Sequence, residues 1–308
     1  MRVLVTGASG LLGLNLALEA AKMHQVFGLV NRHPLKTEDF QVIQADLLIP
    51  GTAERILDQT QPDWVIHCAA LALIDECEAH PEWARQINTE IPKKLATYVD
   101  RGGARFLHVS TDAVFDGVRG DYSETDEPNP LSVYARTKLE AERAVAAANP
   151  GALIARVNLF GWSLTRQRSL GEFFYYNLKA GKRVMGFTDV YFCPLLANDL
   201  ANLLMEMLSK QLSGLYHTVS RECLSKYEFG VAVARQFGFD EDLIQATSVT
   251  NSNLAAVRSP RLTLRTDKLT AALGKPPPSV AAGLKRFFLL DQQGYPERLA
   301  RMTQRIHQ

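Results

Sequence analysis

The feature that most constrains this chain is its start, where the apolar run Val3-Leu4-Val5 leads into Thr6-Gly7-Ala8-Ser9-Gly10-Leu11-Leu12-Gly13 and then into an apolar helical pattern. Strand, glycine turn and helix in that order open a βαβ unit. Each glycine has a separate physical task. Gly7 makes a tight turn off the strand, Gly10 lets a ligand approach the backbone where a Cβ would block it, and Gly13 allows close packing of helix on sheet. The free N–H groups and the dipole at such a helix start hold a pyrophosphate. Gly7, Ser9, Gly10, Leu11, Leu12 and Gly13 are therefore candidate dinucleotide-binding residues. The alternative is a glycine-rich turn without a ligand.

Downstream, short strands alternate with helices, the pattern of a parallel sheet. A helix over 11–22, strands over 25–30 and 41–44, a helix over 51–59 and a buried strand over 63–67 follow one another. That last strand ends in Cys68-Ala69-Ala70, small residues that leave room for a ligand above the sheet. A helix over 82–100 is kinked or interrupted at Pro92. A strand over 105–109 then runs into Ser110-Thr111-Asp112, and 117–130 reads as an exposed loop. A helix over 134–148 and a sixth strand over 152–157 complete the regular part. Further on, helices are expected over 170–179, 197–208, 226–237, 269–273 and 280–290, with a strand over 214–219 and a polar tail or helix from Gln292. The expected fold is α/β: a doubly wound parallel Rossmann sheet with a smaller, interleaved C-terminal substrate-binding lobe. The dinucleotide-binding domain is expected over 1–160, with 190–220 returning to it, and the smaller lobe over 161–308.

At 308 residues and 46% hydrophobic content the chain can bury a large core. A net charge of +1 without a basic run argues against nucleic acid and membrane surfaces as partners. Cys68, Cys77, Cys193 and Cys223 are scattered and no His lies at ligand spacing, so neither a metal site nor a disulfide framework is signalled. Four free, mostly buried thiols in a reducing cytoplasm are expected, with no leader and no membrane span.

A second constellation lies in Tyr134-Ala135-Arg136-Thr137-Lys138 at the head of a helix. Positions i and i+4 share a face, so phenol and ammonium point into one crevice, and the ammonium is expected to lower the phenol pKa. Thr111 can hydrogen-bond the same substrate oxygen, with Ser110 as second choice. Alone, such a pair is a common surface accident. It gains meaning after a glycine turn and a Ser-Thr strand end.

These residues resemble an extended short-chain dehydrogenase/reductase, and more narrowly the dTDP-4-dehydrorhamnose reductase branch, which also contains the regulatory subunit of methionine adenosyltransferase. The match is carried by Thr6 to Gly13, Ala69-Ala70, Asp75 with Glu78, Ser110-Thr111-Asp112, Val114-Phe115-Asp116-Gly117, Pro130, Tyr134-x-x-x-Lys138 and Arg156. The resemblance implies a nicotinamide across the strand ends, with Tyr134 protonating a substrate carbonyl as hydride arrives at its carbon. It also implies that Lys138 holds the ribose and that Thr111 steadies the developing alkoxide. Asp46, followed by Leu47, matches the family's adenine-contacting acid, or else caps the segment after it. The family's habit is a homodimer, and the implied substrate is a nucleotide sugar.

Cofactor choice follows from charge. An NAD-preferring fold ends its second strand in an acid that accepts from the ribose 2′-hydroxyl. Here that end is Val30-Asn31-Arg32. A cation in place of a carboxylate favours a 2′-phosphate, so NADP(H) is preferred and NAD(H) is the alternative; the other reading of Arg32 is a solvated loop residue. On the substrate side the chain departs from the branch. Ala113 follows Ser-Thr-Asp where an aromatic is usual, Leu71-Ala72 replace a polar or aromatic pair, and Leu159 stands where tryptophan is common. Arg258, Arg261 and Arg265 either bind a nucleotide diphosphate or are ordinary surface. Ala113 lacks the carboxylate a dehydratase uses at that place. An epimerase and a non-catalytic NADP-binding regulatory subunit remain the alternatives to a reductase.

Overall fold

The computed structural model describes residues 1–251 and 259–303. In the first half strands and helices largely alternate: β1 (Arg2–Thr6), α1 (Leu11–Ala20), β2 (Gln25–Val30), β3 (Gln41–Gln44), α2 (Thr52–Thr60), β4 (Trp64–His67), α3 (Ile74–Ala79), α4 (Pro81–Arg85), α5 (Ile91–Gly102), β5 (Arg105–Thr111), α6 (Val133–Ala148) and β6 (Leu153–Val157). The second half is more broken. It runs through β7 (Leu159–Phe160), α7 (Leu170–Lys179), β8 (Val184–Phe187), β9 (Tyr191–Phe192), β10 (Leu195–Leu196), α8 (Ala197–Ser209), β11 (Gly214–Thr218) and β12 (Leu224–Ser225). It ends with α9 (Lys226–Phe237), β13 (Ile244–Thr247), β14 (Arg261–Leu262), α10 (Asp267–Leu273), α11 (Val280–Gln292) and α12 (Tyr295–Arg301).

Seven strands form one parallel sheet in the order β11-β6-β5-β4-β1-β2-β3. The expected α/β class with a doubly wound parallel sheet is what the chain adopts. Chain order reverses between β1 and β4, and a crevice opens above the carboxyl ends of strands at such a switch point. Both faces of the sheet are covered. One apolar cluster includes Val3, Val5, Leu14, Ile66, Leu107 and Leu200, and the other Leu4, Val65, Leu95, Val99, Phe106 and Ile154. Alternate residues of β1 and β4 thus face opposite cores, the period-two consequence of a pleated strand. β11 adds to the sheet edge after a long excursion, and α8 packs on α1. No helix among the described residues is long and apolar enough to cross a membrane.

The helix expected over 82–100 is interrupted, as Pro92 required, but by a wide turn rather than a kink. A π-helical segment, Gln86–Glu90, joins α4 to α5, and Pro92 falls in the first turn of α5, where its missing N–H costs nothing. The loop expected over 117–130 is only partly exposed. Tyr122 is buried, stacks on Phe115 at 4.1 Å between ring centroids, and exchanges backbone hydrogen bonds with Thr263 and Arg265. Its partner segment lies some 140 residues away, which is why its polar composition read as solvent-exposed.

The expectation of four free thiols is also corrected. Cys193 and Cys223 form a disulfide, leaving Cys68 and Cys77 free. β9 and β12 pair antiparallel, with Phe192 opposite Leu224, so the next residue of each strand brings the two cysteines face to face. Scattered spacing in sequence hides a juxtaposition created by strand register. Titration with a thiol reagent in denaturant, without reductant, should count two reactive thiols per chain and, after reduction, four.

Candidate active site

The glycine turn is built as its spacing demanded. Gly7 has φ +70°, and a Cβ there would stand 2.7 Å from the backbone nitrogen of Ala69 at the end of β4. A Cβ on Gly13 would collide with the carbonyl oxygen of Gly7, so that glycine is required by the turn rather than by the sheet. Gly10 donates its N–H to Gly7 O (2.8 Å) and caps α1 without a side-chain partner. No side-chain cap claims the first-turn N–H groups of Leu11, Leu12 and Gly13, although these three residues do not line the cleft that begins at the turn.

From this turn a cleft of about 360 Å³ runs over the ends of β1, β2, β3 and β4. Gly7, Ser9, Gly10, Asn31, Arg32, Asp46, Leu47, Ala69 and Ala70, all singled out from sequence, line it. The Arg32 guanidinium lies 4.9 Å from the centroid of Trp83 in the cleft wall, so it is a stacked cation rather than a freely solvated one. Asp46 accepts from the N–H of Leu48 (2.9 Å), the capping role, while still facing the cleft.

Deeper in, the floor is tied together by side chains that sequence reading missed. Asn88, on the π-helical turn, bonds both the N–H (2.8 Å) and the C=O (3.1 Å) of Leu71 and reaches Thr137 Oγ1 at 3.1 Å. It thereby holds the Ala69-Ala70-Leu71 turn against α6. Only the strand pairing brings these segments together, so no local signal was available.

Tyr134 opens α6, whose N-cap Ser132 accepts from Ala135 N–H. Burial pushes the Tyr134 phenol up to about 12, opposed in part by the neighbouring Thr111 hydroxyl, which itself donates to Asp112 Oδ1 (3.1 Å), and reinforced by the nearby Asp112 carboxylate. The expectation that Lys138 would lower this pKa is not met. Lys138 Nζ is buried, donates to Val109 O (2.6 Å) and lies 3.2 Å from His108 Nε2, so two of its three protons are directed at β5. Burial lowers the Lys138 amine to about 8, which still leaves it mostly protonated at neutral pH.

Thr111 and Asp112 meet the phenol and Ser110 does not. Ser110 Oγ donates to Glu142 Oε1 (2.5 Å), and Glu142 is itself paired with buried Arg156 at 2.7 Å. His108 and Ser110 share the face of β5 that packs on α6, one contacting Lys138 and the other Glu142. Glu142 extends the i, i+4 stripe begun by Tyr134 and Lys138, a spacing visible in the sequence. Asp112 accepts from Asn158 Nδ2 (2.5 Å), another residue not foreseen. Ala113 follows in a short 3₁₀ turn and donates its N–H to Thr111 Oγ1.

The arginines expected on the substrate side are dispersed. Arg261 stacks over Tyr191 at 5.6 Å, Arg265 pairs with Asp267 at 2.7 Å, and Arg258 lies outside the described residues. Arg168, by contrast, was not singled out and lines the same cleft as the glycine turn.

Fold and site together define a doubly wound α/β protein with a glycine-turn cleft leading to a Tyr-x-x-x-Lys pair. The chain belongs to the family described as RmlD substrate binding domain, which it matches over residues 1–292. It is 33% identical over 285 residues to a probable low-salt glycan biosynthesis reductase, Agl14, of Haloferax volcanii, covering 91% of this chain and 95% of that one. It is 32% identical over 270 residues to methionine adenosyltransferase 2 subunit beta of Bos taurus, covering 84% and 78% respectively. A crystal structure of a dTDP-4-dehydrorhamnose reductase from Clostridium acetobutylicum is similar with a TM-score of 0.80 and 27% identity, over 95% of this chain and all of that one.

Asp112 supplies a test of the site's electrostatics. Burial raises its carboxyl to about 6 from an ordinary 3.8, although hydrogen bonds from Asn158 and Thr111 pull the other way. A folded pKa above the unfolded one means the folded state holds the extra proton between the two values. This contribution is fully present below pH 4 and is lost as pH rises through 6. The group should cost the wild type about 2–3 kcal/mol of stability across that interval. Urea unfolding from pH 4 to pH 7.5 should show Asp112→Asn flattening that fall.

Proposed function

We propose that this chain is an NADP(H)-dependent reductase acting on a keto group of a nucleotide-activated sugar. The observation that carries the reading is the glycine-turn cleft over the strand ends, tied through Asn88 to the turn of α6 that carries Tyr134 and Lys138. Tyr134, beside Thr111, keeps its proton at physiological pH and so has one to give to a carbonyl oxygen. The glycine-turn cleft fits a dinucleotide, because the positions where a Cβ would block the turn are glycines and the α1 amides are uncapped. NADPH supplies the hydride when bound. Tyr134 would give its proton to the substrate oxygen, and Thr111 would hold that oxygen while charge develops on it. Lys138 would hold the ribose hydroxyls with the proton that β5 does not take. Asn31 and Arg32 at the end of β2 favour a 2′-phosphate over a bare 2′-hydroxyl. The segment after β6 would form the substrate lobe, and the departures at Leu71, Ala72, Ala113 and Leu159 would tune it to a sugar other than dTDP-4-dehydrorhamnose.

A second reading, a dinucleotide-binding regulatory subunit, is favoured by the likeness to methionine adenosyltransferase 2 subunit beta. The two readings part on turnover. Oxidation of NADPH against a panel of 4-keto nucleotide sugars should give turnover in the wild type. Tyr134→Phe should bind NADPH normally and lose about 10²- to 10⁴-fold in kcat. Binding without turnover on every panel member, together with a stoichiometric enzyme partner, would support the regulatory reading. Arg32→Ala should weaken NADPH about tenfold and leave NADH unchanged in a fluorescence titration.

A further inference from the structure

We infer that Arg168 clamps the pyrophosphate of the bound dinucleotide from the side opposite the glycine turn, on a rigid strap formed by residues 163–169. The inference rests on the dinucleotide reading of the cleft and adds a residue to it from a part of the chain that no motif reaches.

The strap begins against the helix that carries the glycine turn. Asn15 of α1 donates to the carbonyl of Trp162 (3.0 Å), and a Cβ on Gly161 would lie 3.7 Å from Leu11 Cδ1. It is then folded back on one buried carboxylate. Glu172, fully buried in the first turn of α7, accepts from Ser163 N–H (2.7 Å), Ser163 Oγ (2.8 Å) and Arg168 N–H (2.9 Å). Ser169 closes the strap by donating to Gly161 O (2.7 Å) while capping α7. An acid buried this deeply holds its place only when hydrogen-bonded so, and all of its partners belong to the strap.

The backbone of Arg168 is thus anchored inward while its exposed side chain lines the cleft that Gly7, Ser9 and Gly10 also line. Among the described residues no carboxylate pairs with its guanidinium, although Asp46 and Glu76 border the same cleft. Its neighbour Arg166, by contrast, turns away to Glu297 at 3.7 Å. A planar guanidinium with five donors matches two phosphoryl oxygens bidentately, and it would complete the anion's coordination where the α1 amides cover one side only.

The test is a fluorescence titration of NADPH and NADH with the wild type, Arg168→Ala and Arg168→Lys. The pyrophosphate is common to both dinucleotides, so Arg168→Ala should weaken both by the same factor, about tenfold or more. Arg168→Lys should recover part of the loss, and added salt should shrink the difference. The backbone N–H that bonds Glu172 survives either substitution, and unchanged thermal melting would verify that the strap stays folded. Equal affinities of wild type and Arg168→Ala would overturn the clamp alone. A loss confined to NADPH would also overturn it, because it would put the residue at the 2′-phosphate. Wild-type protein that binds neither dinucleotide would overturn the cofactor reading and the clamp with it.

Discussion

The structure depends on how closely the end of β1 approaches the end of β4. Gly7 comes so near Ala69 that a single added carbon would stand 2.7 Å from a backbone nitrogen. Thr6 reinforces the approach, since its hydroxyl meets His67 Nδ1 at 2.7 Å and accepts from Ala69 N–H at 3.3 Å. From that junction the other parts take their places. α1 leaves the turn with its amides free, Asn88 pins the following residues of the β4 end to α6, and the cleft opens between them. A side chain at the turn would force the two strands apart at the place where the strand order reverses.

The second governing effect is desolvation along the buried face of α6. Tyr134, Lys138 and Glu142 lie one turn apart, and each is held by a partner from β5: Thr111, the Val109 carbonyl with His108, and Ser110. Proximity of a lysine to a tyrosine suggests a lowered phenol pKa, but burial outweighs it here because the ammonium is directed into the strand. The outcome is a phenol that stays neutral at physiological pH. The same burial acts in opposite directions on phenol and amine, since in each it disfavours the charged state.

Much of this was legible in the sequence, and the limit is physical. β1 to β6 and the longer helices carry strong periodicities, and the glycine turn announces itself because only glycine tolerates its geometry. The two-residue strands β7, β9, β10, β12 and β14 are too short to show any period, so the second half blurred. Thr111 and Tyr134 were singled out because each sits at an element's end beside a recognisable pattern. Asn88, Asn158 and Arg168 were not, because what places them is pairing between segments far apart in the chain. Ser110 turns to Glu142 for a related reason: one step along a pleated strand moves a hydroxyl from the crevice to the helix behind it.

The Cys193–Cys223 link has a consequence for how the molecule holds together under attack. The enclosed stretch contains α8 and β11, so the outermost strand of the main sheet is looped covalently onto the small sheet formed by β9, β12 and β14. A peptide bond cut anywhere within that loop would leave a chain in two pieces still joined by sulfur, with β11 kept in reach of its place beside β6. Nicking there would be silent until the protein met a reductant.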